Sequence, residues 1–275
     1  LVEAGFEVED ASGPDSNETA PSSASAAEGV AVEVELVECV RAVFSLRAVK
    51  DASEIERHRH AQRITDRAFA QTLEMMKPGV TEKQVASILE FNMRDLGADG
   101  LAFPSIVASG PHASMPHALP SDRELCEGDF VVMDFGARAQ GYCADMTRTV
   151  SMGKACAEKR VVYDATLRAH EQCKAAAGPG VVPADLHHLA EKIVADAGYE
   201  GRFTHSLGHG VGLDIHELPF VSPRTSEPLV PGNIITIEPG IYVPGVCGVR
   251  IEDFGLITND GFEDFAESEH NLIEL

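Results

Sequence analysis

Two stretches of this chain share one pattern of apolar runs and polar turns. Residues 131–149, VVMDFGARAQGYCADMTRT, run apolar to Asp134, reverse in a polar turn around Gly141, and return to Asp145. Residues 232–252, GNIITIEPGIYVPGVCGVRIE, run apolar to Glu238, reverse through a turn rich in Pro and Gly, and return to Glu252. Apolar runs joined by a short glycine-containing turn predict β-hairpins. GDFVVMDFG at 128–136 and GNIITIEPG at 232–240 align without a gap, so Asp134 answers to Glu238. Asp145 and Glu252 hold matching places on the return arms.

Ahead of each hairpin the apolar period is not two but that of a helix. Ala61, Ile64, Ala68 and Met75, with Phe69, Leu73 and Met76 beside them, predict a helix over roughly 53–76. Ser53 with Glu56 has the spacing of a capping box at its start, and Pro78–Gly79 stops it. Thr81 with Gln84 makes a second box, opening a helix to about Gly97. An internal repeat covers this region: 78–100 aligns without gaps onto 179–201 at a constant offset of 101. A further long helix is expected over roughly 156–177. The chain thus reads as two similar halves of the form helix, helix, loop, hairpin. The expected fold is α+β, with pseudo-twofold symmetry that brings both hairpins and their acids to the centre.

Composition narrows the function classes. With 22 basic against 44 acidic residues the net charge is −22, which disfavours nucleic acid and anionic membranes as partners. Residues 1–40 hold ten acids and no Lys or Arg. The stretch 11–28 is rich in Ser, Ala and acids and is expected to be disordered. Residues 1–45 are therefore expected to be a partly disordered acidic segment, the remnant of an N-terminal domain, with the folded part at 46–275. The chain begins LVEAGFEVED, without Met and without a basic leader, which reads as a fragment with no signal peptide. No window holds eighteen uninterrupted apolar residues, so no transmembrane helix is expected. Six cysteines without a CxxC pair suggest reduced thiols and a cytoplasmic protein.

The chemistry follows from the acids. Carboxylates on neighbouring arms of a hairpin come within about 5 Å of each other. On a buried apolar sheet they repel unless a cation lies between them. Residues 203–219, FTHSLGHGVGLDIHELP, add His205, His209 and His216, with Gly208, Gly210 and Gly212 allowing close backbone approach around a buried ion or ligand. Three alternate glycines argue against a helix there. Four carboxylates and one imidazole suit hard or borderline divalent metals such as Mn²⁺, Co²⁺ or Fe²⁺, held as a pair about 3.5–4 Å apart. Such a pair makes hydroxide near neutral pH, and hydrolysis of a carbonyl compound is the expected chemistry.

The motifs GDFVVMDFGA, GYCADMTRT, HSLGHGVGLDIHE, TIEPGIY and VRIEDFGLIT resemble the pita-bread metallopeptidase family, in its branch of Xaa-Pro aminopeptidases (aminopeptidase P) and Xaa-Pro dipeptidases (prolidases). The resemblance covers about 46–275. It implies that Asp134 binds one metal, Asp145 and Glu252 bridge two, and His209 and Glu238 complete the second. Glu238 would also take the proton of the attacking water. His117 would stabilise the leaving group or peptide, His216 would stabilise the tetrahedral intermediate, and His205 would line the proline-side pocket. Arg250 matches a basic residue beside the metals, or stands simply as a partner of Asp253 or a bridging acid.

The implied reaction is hydrolysis of an N-terminal Xaa-Pro bond by a metal-bridging hydroxide, as an aminopeptidase first and a prolidase as the alternative. The implied cofactors are two divalent ions, manganese ahead of cobalt, iron or zinc. The implied substrate is a peptide with proline at the second position. Methionine aminopeptidases share the five ligands, but there a glutamine usually stands where this chain has Arg250. Creatine-type hydrolases lack the metals, and non-catalytic binding modules of this fold have no reason to keep five ligands. In the proline-specific enzymes an N-terminal domain caps the site and builds dimer contacts, so a homodimer is left open here.

Overall fold

The computed structural model describes residues 40–275, so most of the segment expected over 1–45 lies outside the described residues. The described chain opens with three helices, α1 (Val40–Ala48), α2 (Ala52–Leu73) and α3 (Glu82–Asp95). Strands β1 (Gly100–Leu101) and β2 (Ile106–Ser109) precede β3 (Phe130–Phe135), β4 (Ala137–Ala139), β5 (Tyr142–Cys143) and β6 (Met146–Ser151). The second half repeats this with α4 (Ala157–Ala176), α5 (Pro183–Asp196), β7 (Gly208–Gly210) and β8 (Glu217–Val221). It closes with β9 (Ile234–Ile237), β10 (Gly240–Val243), β11 (Cys247–Arg250), β12 (Asp253–Ile257) and β13 (Phe262–Asp264).

The helices follow the sequence repeat closely. Adding 101 to both ends of α3 gives both ends of α5. Thr81 caps α3 with Gln84 as its reciprocal partner, as the spacing predicts. At α2 the box lies two residues earlier than Ser53 and Glu56. Asp51 accepts from the amides of Ser53 and Glu54, and Glu54 reaches back to the Asp51 amide at 2.8 Å. The Ser53 hydroxyl is spent donating to Asp51, a stronger acceptor, so Asp51 takes the cap. Such a cap contributes about 1 kcal/mol. α5 instead starts on Pro183, whose missing N–H costs nothing in the first turn.

Each hairpin is interrupted in the middle. β3 pairs antiparallel with β6, Asp134 facing Thr147, while β4 pairs with β5 in a separate ladder. Likewise β9 pairs with β12, and β10 with β11. The interruptions fall at Gly136 and Ala144–Asp145 in the first hairpin, and at Glu238–Pro239 and Ile251–Glu252 in the second. Three of the four acids therefore sit where a strand breaks, free to aim across the sheet. β2 flanks β3, and β7 flanks β9.

Apolar side chains form two main clusters, each drawn mainly from one half. Ile64, Phe69, Leu89, Met93, Met133 and Phe135 fill the first, and Tyr163, Leu186, Val194, Ile235, Ile241 and Val249 the second. Each fully buried side chain of this kind contributes roughly 1.5–3 kcal/mol. The halves join where the Glu252 amide donates to the Thr147 carbonyl at 3.1 Å. Antiparallel sheet covered by paired helices is the pita-bread α+β arrangement. Among the described residues no helix is long and apolar enough to cross a membrane. The five described cysteines are free.

Candidate metal centre

Asp134 within β3 and the three acids at strand breaks all reach one cavity of about 380 Å³. Its wall holds every residue singled out from the sequence: His117, Asp134, Asp145, His205, His209, His216, Glu238, Arg250 and Glu252. Ligand atoms of Asp145, His209 and Glu252 lie within 4.8 Å of one another. The His209 Nε2 stands 3.5 Å from carboxylate oxygens of both Asp145 and Glu238. Asp145 and Glu252 are almost fully buried, whereas His117 and His216 are exposed at the rim.

Electrostatics mark the centre as short of positive charge. Burial first, then the Glu252, Asp134 and Glu238 carboxylates, push Asp145 well above its usual range. Burial and the neighbouring Glu238 and Asp134 do the same to Glu252. Glu238 is raised to about 8, mainly by burial. His209 is lowered to about 3 by burial and by His216, so its ring is neutral. Its Nδ1 donates to the Gly210 carbonyl at 3.1 Å, which leaves the Nε2 lone pair facing the two acids. Lone pair against carboxylates is unfavourable unless a cation lies between them.

A second observation agrees. The buried Oδ1 of Asp134 receives no hydrogen bond among the described residues. A buried acceptor left bare costs about 1–3 kcal/mol. The donor set of four carboxylates and one neutral imidazole, with that oxygen aimed inward, fits divalent metal ions.

Arg250 sits beside this centre and pairs with Asp134, while Asp253 is taken by Arg148. Its Nε donates to the Thr147 hydroxyl at 3.0 Å and its Nη1 to the Tyr242 hydroxyl at 2.9 Å. Tyr242 in turn lies 2.9 Å from His205 Nε2, and the His205 Nδ1 faces the Ser206 carbonyl at 2.9 Å. His205 thus accepts from Tyr242, and burial and Arg250 keep its ring neutral, with a pKa of about 3. His216 packs edge-on against His209 at 4.3 Å between ring centroids.

Sequence reasoning missed Tyr242 and two threonines. Thr147 donates to the Glu252 carboxylate, and Thr236 accepts the His209 amide while its hydroxyl lies 3.3 Å from Glu238. Each lies inside a quoted motif, but a hydroxyl's partner is set by strand register, which a motif does not reveal. The apolar wall of Phe103, Ile106, Ile215 and Phe220 was also missed. The glycines of 208–212 do permit close approach, to protein instead of a ligand. A Cβ on Gly208 would lie 2.1 Å from the Thr236 carbonyl oxygen, and one on Gly210 2.3 Å from that of Leu218.

Fold and centre together define a metallopeptidase. Residues 56–259 match the model of metallopeptidase family M24, and the chain belongs to that family. An uncharacterized peptidase, YqhT, of Bacillus subtilis is 42% identical over 243 residues, which are 88% of this chain and 69% of that protein. The X-Pro aminopeptidase from Thermotoga maritima has a similar structure, with TM-score 0.84 and 40% identity over 86% of this chain and 67% of its own. The Xaa-Pro dipeptidase from Bacillus anthracis matches with TM-score 0.84 and 40% identity, over 85% and 66%. The prolidase from Pyrococcus furiosus matches with TM-score 0.82 and 40% identity, over 83% and 68%. The chain spans about two-thirds of the length of these relatives.

Proposed function

We propose that this chain is a metal-dependent exopeptidase that hydrolyses the Xaa-Pro bond, acting on dipeptides as a prolidase. The order expected from sequence, aminopeptidase first, is reversed here because the similar structures include both a dipeptidase and a prolidase. Aminopeptidase action remains the second reading, favoured by the likeness to the Thermotoga maritima enzyme. The observation that carries the proposal is the convergence of Asp145, His209 and Glu252 beside the bare Asp134 oxygen.

Asp134, Asp145, His209, Glu238 and Glu252 would hold the metal ions, with manganese proposed ahead of cobalt, iron or zinc. Bound there, divalent ions would keep the buried acids ionised and make a held water acidic. Glu238 accepts the proton of the attacking water and passes it to the proline nitrogen. His216, at the rim, donates to the carbonyl oxygen as charge develops on it. His117 steadies the peptide on the leaving side, and the neutral His205, fixed by Tyr242, lines the proline pocket. Arg250 holds Asp134 in place. The net charge of −22 is read as solubility in the cytoplasm, with no role for nucleic acid or membrane. A homodimer is an outcome to be measured by sedimentation.

An Xaa-Pro dipeptide, an Xaa-Pro-Xaa tripeptide and Met-Ala-Ser, assayed side by side with and without Mn²⁺, test this reading. The expected result is Mn²⁺-dependent release from the dipeptide, slower release from the tripeptide and none from Met-Ala-Ser. No release from either proline peptide with metal present would overturn it.

A further inference from the structure

The loop that carries His117 leaves β2 at Ser109 and closes at Ser121, and both ends return to one side chain. Glu82, the first residue of α3, is fully buried. Its Oε1 accepts from the Ser109 amide at 2.7 Å and the Ser109 hydroxyl at 2.8 Å. Its Oε2 accepts from the Ser121 amide at 3.0 Å and the Ser121 hydroxyl at 2.6 Å. The His112 Nδ1 lies 3.0 and 2.8 Å from the two oxygens. Backbone adds to the join, since the amides of Glu82 and Lys83 donate to the carbonyls of Arg123 and Ser121 at 3.0 and 3.1 Å. Burial opposes ionisation of Glu82, but the bonds from Ser121, His112 and Ser109 outweigh it and hold the carboxyl below its usual range. The start of a helix also favours a negative charge.

The middle of this loop touches the metal centre. The Pro116 carbonyl accepts from Arg250 Nη1 at 3.0 Å, and His117 lines the cavity. Met115 and Leu119 on either side are 52% and 72% exposed, and only the small Ala113 and Ala118 of that stretch pack inward, against Ala108 and Val132. To that modest packing the bonds to Glu82 add polar anchors at both ends of the loop. The matching position in the second half is Pro183, which has no side-chain acceptor.

We propose that Glu82 is a positioning residue: by clamping Ser109, His112 and Ser121, it fixes His117 and the outer hydrogen bond of Arg250 at the metal centre. This rests on the reading of His117 as a group that touches the peptide. Glu82→Gln keeps the shape of the side chain but turns an NH₂ group on donors that need an acceptor.

Hydrogen–deuterium exchange over 110–121 and the kinetics of Xaa-Pro hydrolysis together test the clamp. Glu82→Gln should speed exchange over 110–121 while β9 and β12 exchange as in the parent. It should lower kcat/KM about tenfold, since misplacement of a contacting group by an ångström costs that much or more. Added to His117→Ala it should lower kcat/KM by clearly less than it does in the parent, the remainder passing through Pro116 to Arg250. Ser121→Ala removes only one anchor and should move exchange and kcat/KM the same way by less, which keeps the test alive if Glu82→Gln does not fold. Unchanged exchange in both variants, or the full kinetic loss persisting in His117→Ala, overturns the proposal. A parent that cleaves no Xaa-Pro peptide would sink the assigned activity alone, and exchange would then decide the clamp.

Discussion

The two halves share a skeleton but divide the chemistry unequally. α3 and α5 coincide end to end at an offset of 101, and each half supplies a broken hairpin with two acids. The loops between helix and hairpin are where they part. In the first half that loop delivers His117 and is tied down by Glu82 from within the half. In the second it delivers His205, His209 and His216, and is tied from outside the repeat. Arg47 of α1 bonds Asp214 and Glu217, and Lys50 stands 3.5 Å from Glu217. β2 and β7 occupy equivalent places beside β3 and β9, yet IVAS in β2 offers no imidazole where β7 offers His209. Duplication thus accounts for the paired acids, and the unpaired loops account for one centre in place of two.

If the acids are equivalent by symmetry, removing either member of a pair should cost the same. Asp145→Ala and Glu252→Ala should each lower kcat by more than the ~100-fold that follows loss of a mere supporting partner of a ligand. Bound Mn²⁺ per chain, measured by elemental analysis, should fall in both. Activity within a few-fold of the parent in one variant but not the other would break the symmetry argument at that acid.

The next effect concerns the joint between halves. Arg148 in β6 is 1% exposed and donates to the Glu252 carbonyl at 2.7 Å and to Asp253 at 2.7 Å. His170, Lys174 and His270 gather on the other oxygen of Asp253. The positive charges, Arg148 foremost, hold the Asp253 carboxyl well below its usual range against the pull of burial. Asp253→Asn strands those charges, and breaking a buried pair from one side costs about 3–5 kcal/mol. For a chain of this size a fall in Tm of about 10 °C is expected by calorimetry. A fall of one or two degrees would place the joint elsewhere.

How much of this was legible depends on the range of the interaction. Helix spans and the Thr81 cap depend on neighbours a few residues apart, whereas the match of Asp134 to Glu238 came from the gapless alignment of the two hairpins. Asp51 displaced Ser53 as a cap because a carboxylate outcompetes a hydroxyl, a choice the Ser53–Glu56 spacing concealed. The breaks at Gly136 and Glu238 were invisible, because a continuous hairpin and two offset ladders share one apolar pattern. Nothing local sets Glu82 apart from any first-turn acid, or Arg148 from any polar residue in a strand. Their partners lie 27 to 105 residues away, where periodicity carries no information.

The smallest effect again sets one half against the other, through two buried histidines on matching helices. His58 of α2 donates from Nδ1 to the Cys143 carbonyl at 2.9 Å, edge-on to Tyr142 and Phe254. Burial lowers it to about 3. His170 of α4 is lowered to about 4, also by burial, but Asp253 partly offsets that. A histidine depressed in the folded state leaves the unfolded chain holding the extra proton below about pH 6.5, so stability is full above that pH and is lost as pH falls towards 3. Between pH 7 and 5 His58 should account for about 2 kcal/mol of lost stability. His58→Gln keeps a donor for Cys143 without titrating, so the gap in unfolding free energy between parent and variant should shrink by that amount over those two pH units. A gap that stays constant from pH 7 to 5 would mean that the acid sensitivity of the fold resides in the second half, around His170 and Asp253.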